Sequence, residues 1–127
     1  MKLYEKRHYE EAAALPYGGL LALSFLRGKM HGGQRVMIYG ASGAVGTAAV
    51  QLAKNAGAHV TGVCGSSNLD LVKTLGAEDV IDYGKVNPAA SGDTYDLVFD
   101  AVGKRKRKGF QYRKILAPKG RFISVDS

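Results

Sequence analysis

The segment Arg35-Val36-Met37-Ile38-Tyr39 is short, apolar and partly β-branched, and it runs without a break into Gly40-Ala41-Ser42-Gly43-Ala44-Val45-Gly46. Behind the glycines, Ala48, Ala49, Val50, Leu52, Ala53 and Ala56 form a strongly helical stretch, and Gly57 stands where a helix C-terminus is capped. A strand, a glycine-rich turn and a helix in that order leave few folds open. The strand must lie in a sheet beneath the helix, and the turn between them must let the backbone come close to something.

The rest of the chain repeats the alternation. His59–Cys64 reads as a second strand, and Leu69, Leu71, Val72 and Leu75 as a helix ended by Gly76. Asp79–Tyr83 reads as a third strand, Asp96–Val102 as a fourth after a polar loop containing Pro88 and Gly92, and Arg121–Val125 as the last. Short apolar strands alternating with helices imply right-handed crossovers and a parallel sheet covered on both faces. The predicted class is a doubly wound α/β Rossmann fold, with sheet order 3-2-1-4-5 and helices on both faces. Upstream, Tyr9–Leu26 is rich in Ala and Leu, and Pro16 with Gly18-Gly19 predicts its division into two helical pieces. Residues 1–34 are accordingly expected to connect into a dinucleotide-binding domain over residues 35–127.

Composition limits the alternatives. A length of 127 residues suits one domain, and no apolar run approaches the ~20 residues of a membrane span. The opening MKLYEKRHYE lacks the apolar core of a signal peptide, so a cytoplasmic location without a membrane partner is expected. One cysteine, Cys64, and three histidines without ligand spacing predict neither a disulfide nor a metal. The net charge of +7 owes much to the run Lys104-Arg105-Lys106-Arg107-Lys108. Such a run can attract phosphate backbones, but no aromatic platform is interleaved with it. A solvated loop and no specific nucleic-acid partner are expected.

The chemistry sits in the glycine turn. Gly43 would let the backbone approach a pyrophosphate, Gly46 would let the helix pack closely on its strand, and the free N–H groups of the first helical turn would meet phosphate oxygens. A tight bend without a ligand is the bland alternative. A nucleoside-triphosphate loop of the Walker type needs Lys after the last glycine, where Thr47 stands. The acid that reads the ribose of NAD should lie at the end of the second strand, yet Cys64-Gly65-Ser66-Ser67-Asn68 has none. A 2′-phosphate is therefore not repelled, so NADP(H) is expected over NAD(H). Ser66 or Ser67 could equally cap the following helix.

At this point the chain resembles a family. EEAAALPYGGLLAL, RVMIYGASGAVGTAAVQLAKNAGAHVTGVC, LVKTLGAEDVIDY, DLVFDAVG and KILAPKGRFISV together are similar to the cofactor domain of the medium-chain dehydrogenase/reductases, in the zinc-independent quinone oxidoreductase-like branch. The resemblance implies pyrophosphate contacts at Ser42, Gly43, Ala44 and Val45, with Gly46 also in the cofactor site, and 2′-phosphate contacts at Ser66, Ser67 and Tyr83 beside Cys64. It places Asp100, Ala101 and Val102 toward the nicotinamide. It implies hydride transfer from NADPH to a quinone, enone or carbonyl acceptor, without zinc and with no catalytic residue assigned in this chain. Ser67 stands where many relatives carry Lys or Arg, so the cofactor preference is expected to be modest. The branch also has a GroES-like domain that walls the acceptor cleft. This chain therefore looks truncated, able to bind cofactor and inactive alone, with its last strand at a sheet edge and open to pairing in a homodimer. A non-catalytic NADPH sensor and an atypical short-chain reductase fragment are the alternative readings, although the latter's Tyr-x-x-x-Lys is absent.

Overall fold

A computed structural model describes residues 17–90, 92–103 and 109–126. Its order is α1 (Tyr17–Leu26), β1 (Arg35–Tyr39), α2 (Ala44–Asn55), β2 (His59–Cys64), α3 (Leu69–Leu75), β3 (Asp79–Asp82), β4 (Tyr95–Asp100) and β5 (Leu116–Ser124). Short 3-10 turns lie at Ser66–Asn68, Pro88–Ala90 and Tyr112–Ile115. The strands form one parallel sheet in the order β3-β2-β1-β4-β5, as the alternation predicts.

The two faces of the sheet are covered differently. Against Val36, Ile38, Val60, Leu97 and Phe99 pack α1, α2 and α3, through Ala22, Leu26, Ala48, Ala49, Leu52 and Val72, all fully or nearly buried. The other face presents Met37, Val63 and Val98, and among the described residues of the β3–β4 and β4–β5 connections the helical segments are the 3-10 turns Pro88–Ala90 and Tyr112–Ile115. Aromatic rings fill the space that helices would otherwise occupy. Tyr39 stacks on Phe110 with centroids 4.3 Å apart, and Tyr112 stacks on Phe122 at 3.6 Å, with Phe110 and Tyr112 tilted against each other at 6.4 Å.

Several boundaries differ from the sequence reading for identifiable reasons. Gly18-Gly19 does not break a helix. The pair lies inside α1, where burial of Ala22, Leu23 and Leu26 against the core outweighs the low helix propensity of glycine. The proposed helical piece before Pro16 and the Lys104–Lys108 run fall outside the described residues. β4 stops at Asp100 rather than Val102 because the Asp100 carboxylate folds back and accepts the N–H groups of Val102 (3.0 Å) and Gly103 (3.1 Å). β3 ends at Asp82 for a similar reason, its Oδ1 accepting from Gly84 N–H at 2.9 Å. β5 starts five residues earlier than Arg121, and its pairing jumps from Tyr95↔Leu116 to Leu97↔Arg121. The intervening Ala-Pro-Lys-Gly therefore bulges out, with Gly120 pressed so near the Tyr95 carbonyl that a Cβ would sit 2.8 Å from it. β5 lies at an edge of the sheet. Among the described residues no helix is long and apolar enough to cross a membrane.

Candidate functional site

Ligands of open α/β sheets bind beyond the carboxyl ends of the strands, where the strand order reverses. Here that point lies between β1 and β4, and the loop Gly40–Gly43 leaves β1 at the same place. Gly40 has φ +84°, and a Cβ on it would sit 2.3 Å from Val102 Cγ1. Its N–H and that of Ala41 both donate to the Val63 carbonyl, at 3.0 and 2.9 Å, which ties the loop to β2.

Gly43 is the N-cap of α2 and Gly46 lies in its first turn, yet the two glycines do different work. A Cβ on Gly46 would lie 1.9 Å from the Gly40 carbonyl oxygen, so glycine there is what lets α2 sit against the loop. A Cβ on Gly43 would meet nothing nearer than 3.8 Å, and its φ of −78° is open to any residue. Gly43 is also exposed, so the property it contributes is a bare backbone facing outward. No side chain caps α2, and the N–H groups of its first turn have no acceptor within the helix. The turn is thus an uncapped helix start under an open floor, the environment that favours an anion.

A cleft of about 610 Å³ opens above this turn. It is lined by Tyr39, Gly40, Ser42, Gly43, Cys64, Gly65, Ser67, Asn68, Tyr83 and Val102. The structure thus gathers Ser42, Gly43, Cys64, Ser67, Tyr83 and Val102 of the residues expected from sequence. Ala44, Val45 and Gly46 lie just behind, on the first turn of α2. Ser66 opens the 3-10 turn and is exposed beside the cleft. Neither Ser66 nor Ser67 caps α3, whose N-cap is Asn68 with no side-chain hydrogen bond. Asp100 is fully buried and Ala101 partly so, and neither lines the cleft.

Tyr39 was not anticipated. It occupies the last position of β1, and the general placement of ligands at strand ends was the available signal. Burial, and then the nearby Asp100 carboxylate, push its phenol above the ordinary range, so it stays a neutral hydrogen-bond donor. Burial also raises the Cys64 thiol, with a further contribution from Asp82. Asp82 pairs in register with Cys64 at the end of β2, and its Oδ1 accepts the Gly84 N–H.

The floor, the uncapped helix and the hydroxyl-rich rim fit a dinucleotide phosphate. A zinc ion finds no comparable fit: among the described residues no three His, Cys, Asp or Glu side chains come together to hold one.

Comparison with known proteins agrees with this geometry. Residues 44–126 match the family model described as zinc-binding dehydrogenase. The chain is 47% identical over 112 residues to a chloroplast envelope quinone oxidoreductase homolog of Arabidopsis thaliana, covering 76% of this chain and 34% of that protein. It is 44% identical over 104 residues to a mitochondrial NAD(P)H oxidoreductase of Homo sapiens, covering 75% and 26%. The solved structure of the quinone oxidoreductase from Coxiella burnetii superposes with a TM-score of 0.76 at 35% identity, over 87% of this chain and 35% of that one. The chain thus spans about a third or less of the length of these relatives. Sequence blocks, sheet order and relatives converge: the chain belongs to the zinc-binding dehydrogenase family, in the quinone oxidoreductase-like branch of the medium-chain dehydrogenase/reductases.

Proposed function

We propose that this chain is the dinucleotide-binding unit of an NADPH-dependent oxidoreductase that reduces a quinone, enone or carbonyl acceptor. The observation that carries the reading is the uncapped start of α2 beneath the cleft, with Gly43 bare toward it and Gly46 packed on Gly40. The backbone N–H groups of Ala44 and Val45, with Ser42, hold the pyrophosphate, and Val102 and Tyr39 bound the cleft on the β1–β4 side. Ser66, Ser67 and Tyr83 donate hydrogen bonds to a 2′-phosphate. Bound there, reduced nicotinamide supplies a hydride equivalent to an electron-poor acceptor, and no zinc takes part. Residues 35–127 form this unit, and residues 1–34 connect into it.

Calorimetric titration tests the reading. NADPH binds more tightly than NADH by a modest factor, because no lysine or arginine occupies position 67. Ser66→Asp reverses the order by placing a carboxylate against the phosphate. Tighter NADH binding by the unaltered chain overturns the assignment. Reduction of phenanthrenequinone, followed by loss of the reduced nicotinamide absorbance, is slow in this chain alone. Orienting an acceptor lowers barriers by ~7–11 kcal/mol and needs a second wall. The edge position of β5 supports self-association through that strand, which sedimentation across a concentration series reads directly.

A further inference from the structure

The cleft ends on the β4 side at Val102, and what holds Val102 there is a buried acid that does not itself line the cleft. Asp100 has no exposed surface. Its Oδ1 accepts the N–H groups of Val102 at 3.0 Å and Gly103 at 3.1 Å, while its Oδ2 accepts the Ser124 hydroxyl at 2.9 Å. Ser124 is itself buried at the end of β5, and its Oγ accepts the N–H of Asp126 at 3.2 Å. The Asp126 carboxylate in turn closes over Gly103, where φ is +89° and a Cβ would lie 2.4 Å from Oδ2. The turn after β4 is therefore clamped from both sides, by Asp100 from within and by the end of β5 from beyond. The clamp fixes the Val102 side chain over Gly40, the residue that opens the phosphate loop.

We propose that Asp100, with Ser124, is a positioning pair that sets the width of the cofactor cleft through the Val102 backbone. The proposal rests on the dinucleotide reading above. A carboxylate suits the role because one oxygen accepts two adjacent N–H groups while the other accepts a hydroxyl on the neighbouring strand. Removing it leaves the two N–H groups of this partly buried turn and the buried Ser124 hydroxyl without the acceptor they share, and the turn moves. Val102 then leaves its place over the loop.

A double-mutant cycle on the full chain separates this role from a purely structural one. NADPH affinity by calorimetry and melting temperature are measured for the unaltered chain, Asp100→Ala, Val102→Ala and the double variant. Asp100→Ala weakens NADPH binding about ten-fold in the Val102 background and less than about two-fold once Val102 is already alanine. Its loss of melting temperature is the same in both backgrounds. Asp100→Asn, whose amide oxygen still accepts from Val102 and Gly103, recovers most of the affinity. Should Asp100→Ala fail to fold, Ser124→Ala takes its place in the cycle with a smaller effect of the same pattern. Equal affinity losses in both backgrounds, or a fall in melting temperature with affinity intact, overturn the positioning role and leave the dinucleotide reading standing. Failure of the unaltered chain to bind either NADPH or NADH overturns that reading and the positioning role with it.

Discussion

The two faces of the sheet solve the same burial problem with different materials. On the α-helical face alanines from α1 and α2 pack with leucines and valines, and the backbone of α2 comes so near its own loop that a single methyl group on Gly46 has no place. On the other face short turns are packed by four stacked rings whose edges remain partly open to solvent. The first arrangement tolerates no added volume, and the second tolerates no lost volume. The cleft lies along the boundary between them, with its floor from the rigid face and Tyr39 from the aromatic one.

The largest test of this contrast is Gly46→Ala. Its Cβ meets backbone rather than a flexible side chain, so the chain loses about 3 kcal/mol or more, read as a fall in the denaturant midpoint. On the opposite face the damaging change is a truncation. Phe122→Ala removes one half of the tighter stack and costs about 2 kcal/mol, less than a fully buried phenylalanine because Phe122 is only partly covered. Equal sensitivity of both sites to added and lost volume would erase the distinction.

Alkaline titration gives a smaller effect. Cys64 and Tyr39 both have folded pKa values above the ordinary 9.0 and 10.0, so the unfolded chain releases those protons first. Stability is intact below about pH 9 and falls as the pH rises through the two folded values. Tyr39→Phe keeps the stack on Phe110 and flattens the upper part of that fall, which thermal melts across the alkaline range measure. The smallest change in stability comes from Gly43→Ala, within about 0.5 kcal/mol because the position is open and its φ is ordinary. NADPH affinity nonetheless drops in this variant, and a variant that kept full affinity would show that the bare backbone at position 43 is not used.

Legibility in the sequence follows the same division. The strand–glycine–helix unit and the first turn of α2 could be read because their determinants are local: apolar runs, an alanine-rich helical stretch, and glycines at the bends; the sheet order followed from the alternation of strands and helices. Where long-range contacts decide, the reading failed. Gly18-Gly19 stays helical only because α1 is packed on the core, and β5 is hidden by Pro118 and Gly120 because its first pair, Tyr95↔Leu116, is separated from the rest by a bulge. Asp100 could be placed near the site by resemblance, but its inward turn toward Val102, Gly103 and Ser124 depends on β5 arriving beside β4. Tyr39 went unnoticed because an aromatic residue at a strand end is ambiguous until the neighbouring strands define an opening.

The placement of Tyr39 and Tyr83 on the cleft has an optical consequence. The chain contains seven tyrosines and no tryptophan, so phenol rings are the fluorophores that dominate its ultraviolet emission. Two of them, Tyr39 and Tyr83, line the cleft proposed above to hold a reduced nicotinamide dinucleotide. Energy transfer from these rings to such a ligand would dim the protein's own fluorescence as the cleft fills. The unlabelled chain is in that sense its own indicator of occupancy, and Tyr39→Phe and Tyr83→Phe would each remove part of the signal.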